Sequence, residues 1–483
     1  MSFFDLNFYI LFAVIFIINY LVKNNLRIYF LLAFSLFFYG ANDRMFIPLI
    51  MILSIIIYVS GILIEKQRDK RLYIIVFIIT LFPLIFYKYM DFGISIVNRY
   101  LLPETFSLPF LDLIAPLGVS YFTFQAITYI GDVYHGHLSA EKNFGKVCLF
   151  LIFFPSITAG PIQKARNLLP QFHQMTVFNY ERVKHGLYLL SYGMLQKFLI
   201  SDNLSLIITP MTANIAQYRG FHIIFFAAVY SIYIYVNFNS YSDIAIGLAE
   251  ILGFEFQQNF KRPYLSQTIQ EFWQRWHISL NQWFIEYVYI PMGGSRKGNV
   301  KKYRNIMTVF LVSGLWHGAS MHFIIWGALN GLYQIIGNVT KNWRNIVYDR
   351  LCIDQKSFSV RLWKRCVVFA LISIAWIFFA VPSTTLSVKA VLSAVFPSIS
   401  TLFDGVIISL LGNIEQVILT MSCVIIFMII QIYREKYGLF DLFSKQNFIF
   451  RYFVYVVAVS IIVFCFCSLS TGYGNGGFIY GNF

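Results

Sequence analysis

IPLIMILSIIIYVSGILIEKQRDKRLYIIVFIITLFPLIF (residues 47–86) decides the class of this chain. Two apolar runs, 46–64 and 72–88, flank the loop EKQRDKR (65–71). Each run approaches the ~20 residues that a helix needs to cross the hydrocarbon core of a bilayer. The loop carries Lys66, Arg68, Lys70 and Arg71, and short basic loops stay cytoplasmic. Further apolar runs fall near 8–22, 28–40, 116–133, 146–160, 186–200, 222–250, 306–333, 366–382, 386–411, 414–432 and 452–470. The expected fold is an all-α polytopic membrane protein with about 10–12 transmembrane helices. Two runs read as re-entrant. The run 146–160 holds Pro155 and Gly160 and is followed by Pro161, and broken backbone at membrane depth is tolerated only where protein or a water-filled cavity surrounds it. The run 306–333 lies between two basic segments and should dip in and return as a hairpin.

Composition agrees. Of 483 residues, 58% are hydrophobic and 12% charged, against roughly 25% charged in soluble proteins. Mean hydropathy is +0.66. These values exclude a disordered chain, a collagen and a coiled coil. The 37 Lys and Arg against 22 Asp and Glu give a net +15, which orients the chain in a membrane and is not read as nucleic-acid binding. Segment 251–305 carries eight basic residues and three acids, and 334–365 carries seven and two, so both are expected in the cytoplasm. Counting spans from these loops places both termini outside. MSFFDLNFYI has no basic n-region and reads as a retained first span. The six cysteines have no zinc spacing and form no disulfide framework. No soluble domain or internal repeat stands out, and residues 1–483 are read as one domain.

Polar groups inside a membrane are costly, so each is a functional candidate. In QEFWQRWHISLNQWFIEYVYIPMGG (270–294), one continuous helix would align Trp273, Trp276, His277, Leu280, Phe284 and Tyr287 in a stripe. His277 then lies on an aromatic face, which suits either a site or a structural histidine bonded to a carbonyl. In MTVFLVSGLWHGASMHFIIWGALNG (307–331), His317 sits between Gly314 and Gly318, and Gly327 and Gly331 repeat that spacing. Such glycines let another backbone approach closely. Apolar surroundings keep an imidazole neutral and available as a base. His322 faces elsewhere and is read as a packing residue. Asn237, Asn239, Ser240, Tyr241, Ser242 and Asp243 form a polar cluster near the end of a span, which suits a lined cavity or interhelical hydrogen bonds. His135 and His137 have no third ligand, so no metal site is expected.

Together these stretches resemble the membrane-bound O-acyltransferase family. Its nearest branch is that of bacterial alginate O-acetylation and D-alanyl export. The resemblance rests on PLGVSYFTFQAITYIGDVYHG (116–136), FFPSITAGPIQKARNLLPQF (153–172), the stretch 241–294 with its WHISL, SGLWHGASMHFIIWGALNG (313–331) and the terminal FIYGNF (478–483). It implies that His317 and His277 are the catalytic histidines, and that helices surround a central tunnel with His317 near its middle. Asn239, Tyr241, Ser242, Asp243, Trp276 and Trp316 would line that tunnel. Where the family often has Asp-Phe-Ser-Gly, this chain has Asn237-Phe238-Asn239-Ser240, so a charge-dependent role is not expected at 237. Gly481-Asn482 also departs from the usual ending.

The implied function is O-acyl transfer, most simply O-acetyl transfer, to a cell-envelope or exported polysaccharide. The donor would be a cytoplasmic thioester, either acetyl-CoA or an acyl carrier protein, with no bound cofactor. The basic face of Lys261, Arg262, Arg296, Lys297, Lys301 and Lys302 would dock it. The expected partners are the lipid bilayer, the donor, the glycan and a periplasmic or extracellular SGNH-type acetyltransferase or esterase-like protein. The expected location is the bacterial inner membrane. Similar termini imply an acyl relay at Tyr480, a position that equally suits an aromatic anchor at the interface. The contrasting class is a transporter or flippase for an acyl or lipid-linked substrate, which needs neither histidine as a base.

Overall fold

The computed structural model describes residues 3–470, apart from 104–105, 158–159 and 175–176. Among the described residues the regular structure is helical and contains no strand. The principal helices, in order, are α1 Leu6–Leu21, α2 Asn24–Asp43, α3 Ile47–Gln67, α4 Lys70–Tyr100, α5 Val119–Tyr134 and α6 Phe144–Ile152. They continue with α7 Tyr180–Gln196, α8 Phe221–Ile251, α9 Ile269–Arg275, α10 Ile278–Phe284, α11 Asn299–His317 and α12 Met321–Val339. The last are α13 Lys341–Arg350, α14 Phe358–Ala380, α15 Ile414–Tyr437 and α16 Phe448–Ser470.

Among the described residues, six stretches are long and apolar enough to cross a membrane: Leu26–Gln67, Lys70–Tyr100, Phe221–Ile251, Phe358–Ala380, Ile414–Arg434 and Phe448–Cys467. The first contains α2 and α3, of 20 and 21 residues, each about 30 Å long and so of bilayer thickness by itself. This is a polytopic all-α membrane protein. Some apolar runs form other structures. The run 116–133 becomes α5, a core helix in which every residue but Tyr134 is buried. The run 386–411 is cut into Thr384–Val395, Ser400–Phe403 and Val406–Leu411, where Pro397 intervenes and Gly405 takes a positive φ of 79°.

The chain divides into two compact units, one of residues 1–193 with Tyr241–Gln257, the other of Met194–Ser240 with the chain from Gln258 on. In the first, the run 146–160 is broken as its proline requires. Helix α6 ends at Ile152, and a single turn, Phe154–Ile157, follows. The break is the centre of an aromatic core. Phe153 packs on Phe172, Phe254 and Phe256, and Phe154 packs on Phe8, Phe12, Phe34 and Phe38. The carbonyls that end α8 are satisfied here by Tyr20, Asn19 and the buried Arg27.

In the second unit, α11 and α12 form an antiparallel helical hairpin. A Cβ at Gly314 would meet the Phe323 carbonyl oxygen at 2.3 Å, and one at Gly327 would meet that of Phe310 at 2.3 Å. Gly331 lies against Met307. The partner numbers fall along one helix as they rise along the other, which is the signature of an antiparallel pair. The backbones therefore touch with no side chain between them, the use expected of this glycine spacing. Helix α11 ends at His317, because Gly318 is extended and begins the turn.

Gly314→Ala and Gly327→Ala should each push the hairpin apart, costing about 1–3 kcal/mol as overpacking does. Thermal unfolding in detergent should show both destabilised. Gly337→Ala, where nothing lies within 4 Å, should be neutral. Equal stability of all three variants would refute backbone contact.

Candidate active site

His317 is the last residue of α11 and is 4% exposed. Its imidazole is boxed by aromatic rings, with centroids at 4.7 Å for Trp316, 5.0 Å for Trp326 and 5.0 Å for Phe379. Behind it three more indoles pack together: Trp326 on Trp376 at 5.7 Å, Trp276 on Trp376 at 5.1 Å and Trp273 on Trp326 at 5.6 Å. These contacts tie the hairpin to α14 and to the segment bearing His277.

That segment departs from the continuous helix that its stripe implies. The helix stops at Arg275 and restarts at Ile278, and between them His277 has left-handed backbone with φ 44° and ψ 56°. The irregular segment 259–261 pairs with both sides of the break. The Lys261 N–H donates to the Arg275 carbonyl and the Ile278 N–H to the Asn259 carbonyl, each at 2.9 Å, taking backbone groups that a helix would pair internally. A non-glycine residue in this conformation costs of order 1–3 kcal/mol, and such strain concentrates at functional sites.

Asn259 also fixes the histidine ring. Its Oδ1 accepts from the Ser279 hydroxyl at 2.8 Å and from the Ser279 N–H at 3.4 Å, so this atom is the amide oxygen. His277 Nδ1 lies 3.1 Å from it and must donate. The ring is thus the neutral Nδ1–H tautomer, with its lone pair on Nε2. His277 lies outside the six spanning stretches, and complete burial pushes its pKa down to about 3. Phe238 packs edge-on to it at 4.7 Å. The Trp316 indole packs on both histidines, 6.1 Å from His277 and 4.7 Å from His317.

Both histidines line one cavity of about 250 Å³. Trp273, Trp276, Leu280 and Phe284 line it too, so most of the expected stripe reaches one place although the helix carrying it is broken. A π turn, Ile285–Tyr289, adds Ile285 and Tyr289 to the wall. Toward the open end of the hairpin the lining becomes polar, with Lys302, Gln270, Gln274, Gln334 and Asn338. From Lys302 to His317 is 15 residues of helix, roughly 22 Å.

Apart from Trp276, the remaining tunnel candidates are not among the residues that line this cavity. Trp316 packs on both histidines as described. Asn239 donates to the Gln196 side chain at 2.7 Å in the same unit and is not in the cavity lining. Tyr241, Ser242 and Asp243 are buried in the other unit, with Tyr241 against Phe4. Lys261, Arg296 and Lys297 are exposed and Arg262 half-buried, all outside the lining. Tyr480 lies outside the described residues. Asn259 and the carboxamides of the cavity carry no signal in a single sequence. Asn259 is 18 residues from His277, and only the folded segment brings them together.

With 15N-labelled histidines, His277 should hold the neutral Nδ1–H spectrum from about pH 8 to 5, because its pKa lies well below that range. Asn259→Asp places a carboxylate at Nδ1 and should raise the pKa, so that the ring protonates as pH falls. Protonation of wild-type His277 within that range would contradict the geometry.

Residues 136–381 match MBOAT, the membrane-bound O-acyltransferase family. The chain is 34% identical over 325 residues to the probable alginate O-acetylase AlgI of Pseudomonas syringae, covering 65% of this chain and 59% of that protein. It thus spans about three-fifths of the length of that relative. It is 31% identical over 404 residues to the peptidoglycan O-acetyltransferase of Helicobacter pylori, covering 75% and 73%. The teichoic acid D-alanyltransferase of Bacillus subtilis is 27% identical over 241 residues, covering 48% and 61%. With a match over half its length, and a relative covered for nearly three-quarters of its own, this chain belongs to the membrane-bound O-acyltransferase family.

Proposed function

We propose that the protein is an O-acetyltransferase of the bacterial inner membrane. It moves an acetyl group from a cytoplasmic thioester toward hydroxyls of an envelope or exported polysaccharide. The observation that carries this reading is the shared cavity of His277 and His317, two histidines from separate segments, reached from a polar end at Lys302.

The chemistry needs a base at the attacking hydroxyl. His317 accepts the hydroxyl proton as the oxygen attacks the thioester carbonyl. The tetrahedral intermediate collapses with loss of the C–S bond, and the imidazolium returns its proton to the departing thiolate. The products are an ester and a free thiol. His277, held by Asn259 with Nε2 as an acceptor, orients a hydroxyl or thiol beside it. In that tautomer Nε2 offers no N–H to an oxyanion.

The donor, acetyl-CoA or an acyl carrier protein, approaches from the cytoplasm. Lys302 and the carboxamides receive its thioester-bearing arm, while Lys261, Arg262, Arg296 and Lys297 recruit its acidic body. The runs 146–160 and 306–333 are re-entrant, the termini are outside, and a tunnel joins the two faces. A secreted SGNH-type partner completes delivery to the glycan, with Tyr480 as a candidate relay. The relatives named for alginate, peptidoglycan and teichoic acid support an envelope acceptor.

His317→Ala should lower acetyl transfer about 10²–10⁴-fold, the usual contribution of a general base, with normal membrane insertion. His277→Ala should also lose activity. O-acetyl release from surface glycans of a complemented deletion strain reads both out. Full activity in both variants, or substrate export that survives them, would replace the enzyme with a transporter.

A further inference from the structure

Helix α13 (KNWRNIVYDR) follows α12 and buries none of its ten residues. Polar contacts and the Tyr348 ring help to tie it to the unit. Lys364 Nζ stands 5.0 Å from the Tyr348 ring centroid, Gln355 donates to the Asn345 side chain at 3.4 Å, and Arg344 donates to the Gly337 carbonyl at 2.8 Å. At 100° per residue, Trp343 and Ile346 project from the side opposite Tyr348. They are 66% and 50% exposed, and Leu351 is 63% exposed. A helix on a water-washed surface turns its apolar stripe inward. This one turns it outward. Phe358 and Trp363, at the start of α14, extend the exposed apolar surface at 69% and 66%.

Two further facts say what meets that surface. Helix α14 is one of the six spanning stretches, and only residues 351–357 separate α13 from it. The helix is therefore tethered near the end of a membrane span. The segment 334–365 also carries seven basic residues against two acids. An acidic protein surface would satisfy the cations but leave Trp343 and Ile346 in water. A bilayer surface satisfies both.

We propose that α13 lies in the membrane–water interface as an anionic-lipid site. Trp343 and Ile346 enter the outer acyl region, and Arg350 beside them, with Lys341 and Arg344, binds the phosphates of anionic phospholipids. The inference is independent of the reaction proposed above.

The test uses the full chain in nanodiscs of phosphatidylcholine, with and without phosphatidylglycerol. An environment-sensitive fluorophore is attached at Ile346→Cys in a cysteine-free background. Its emission should shift to the blue and be quenched by lipids spin-labelled near the headgroup, more strongly with phosphatidylglycerol. Replacing Lys341, Arg344 and Arg350 by Gln should raise the phosphatidylglycerol fraction needed for half-maximal quenching severalfold, as should high salt. Hydrogen exchange of amides 341–351 in the wild-type chain gives a second readout and should slow with phosphatidylglycerol. A water-exposed fluorophore in both lipids, no response to phosphatidylglycerol, or a shift only on adding an acidic acyl carrier protein would each overturn the proposal.

Discussion

The touching backbones of α11 and α12 at Gly314 and Gly327 set the position of everything else in the site. Because no side chain separates them, the hairpin has one register. That register fixes the end of α11, and His317 is its final residue. The same hairpin presents Trp326 to the imidazole on one side and Lys302 and Asn338 to the far end of the cavity. A larger residue at either glycine would move all of these together.

Around that frame, burial sets the protonation state. The imidazole of His277 is surrounded by protein, and a charge there would lack solvation. The neutral ring is held by one amide oxygen, which also serves the hydroxyl and N–H of Ser279. The strained backbone at His277 is offset by the pairing of 259–261 with residues on both sides of the break. An apolar, aromatic box with few polar groups suits a base that must stay neutral. The surplus of basic residues gathers at 251–305 and at 334–365, the latter reaching into the first turns of α14 with Arg361, Lys364 and Arg365.

The membrane class and the close backbone approach of α11 and α12 were legible because they rest on local signals. Runs near bilayer length, a basic loop between them and glycines four apart each state their meaning within one segment. The helix break at His277 was not legible. The stripe from Trp273 to Phe284 has helical spacing, and the segment that pairs with both sides of its break lies at 259–261. Tyr241, Ser242 and Asp243 fall in one unit and the histidines in the other, because α8 passes between the units at Ser240 and Tyr241. Local patterning names the polar residues but not the wall they face. For Asn259, the information lies in a long-range contact that one sequence does not display.

The most direct measurement is the structure of the full-length protein with a non-hydrolysable acetyl thioester analogue of the donor bound. Its acyl carbon should lie in the cavity beside His317 and His277, with the arm running past Gln274 and Gln334 toward Lys302. Density for the acyl group anywhere outside that cavity, with the two histidines untouched, would contradict the assignment.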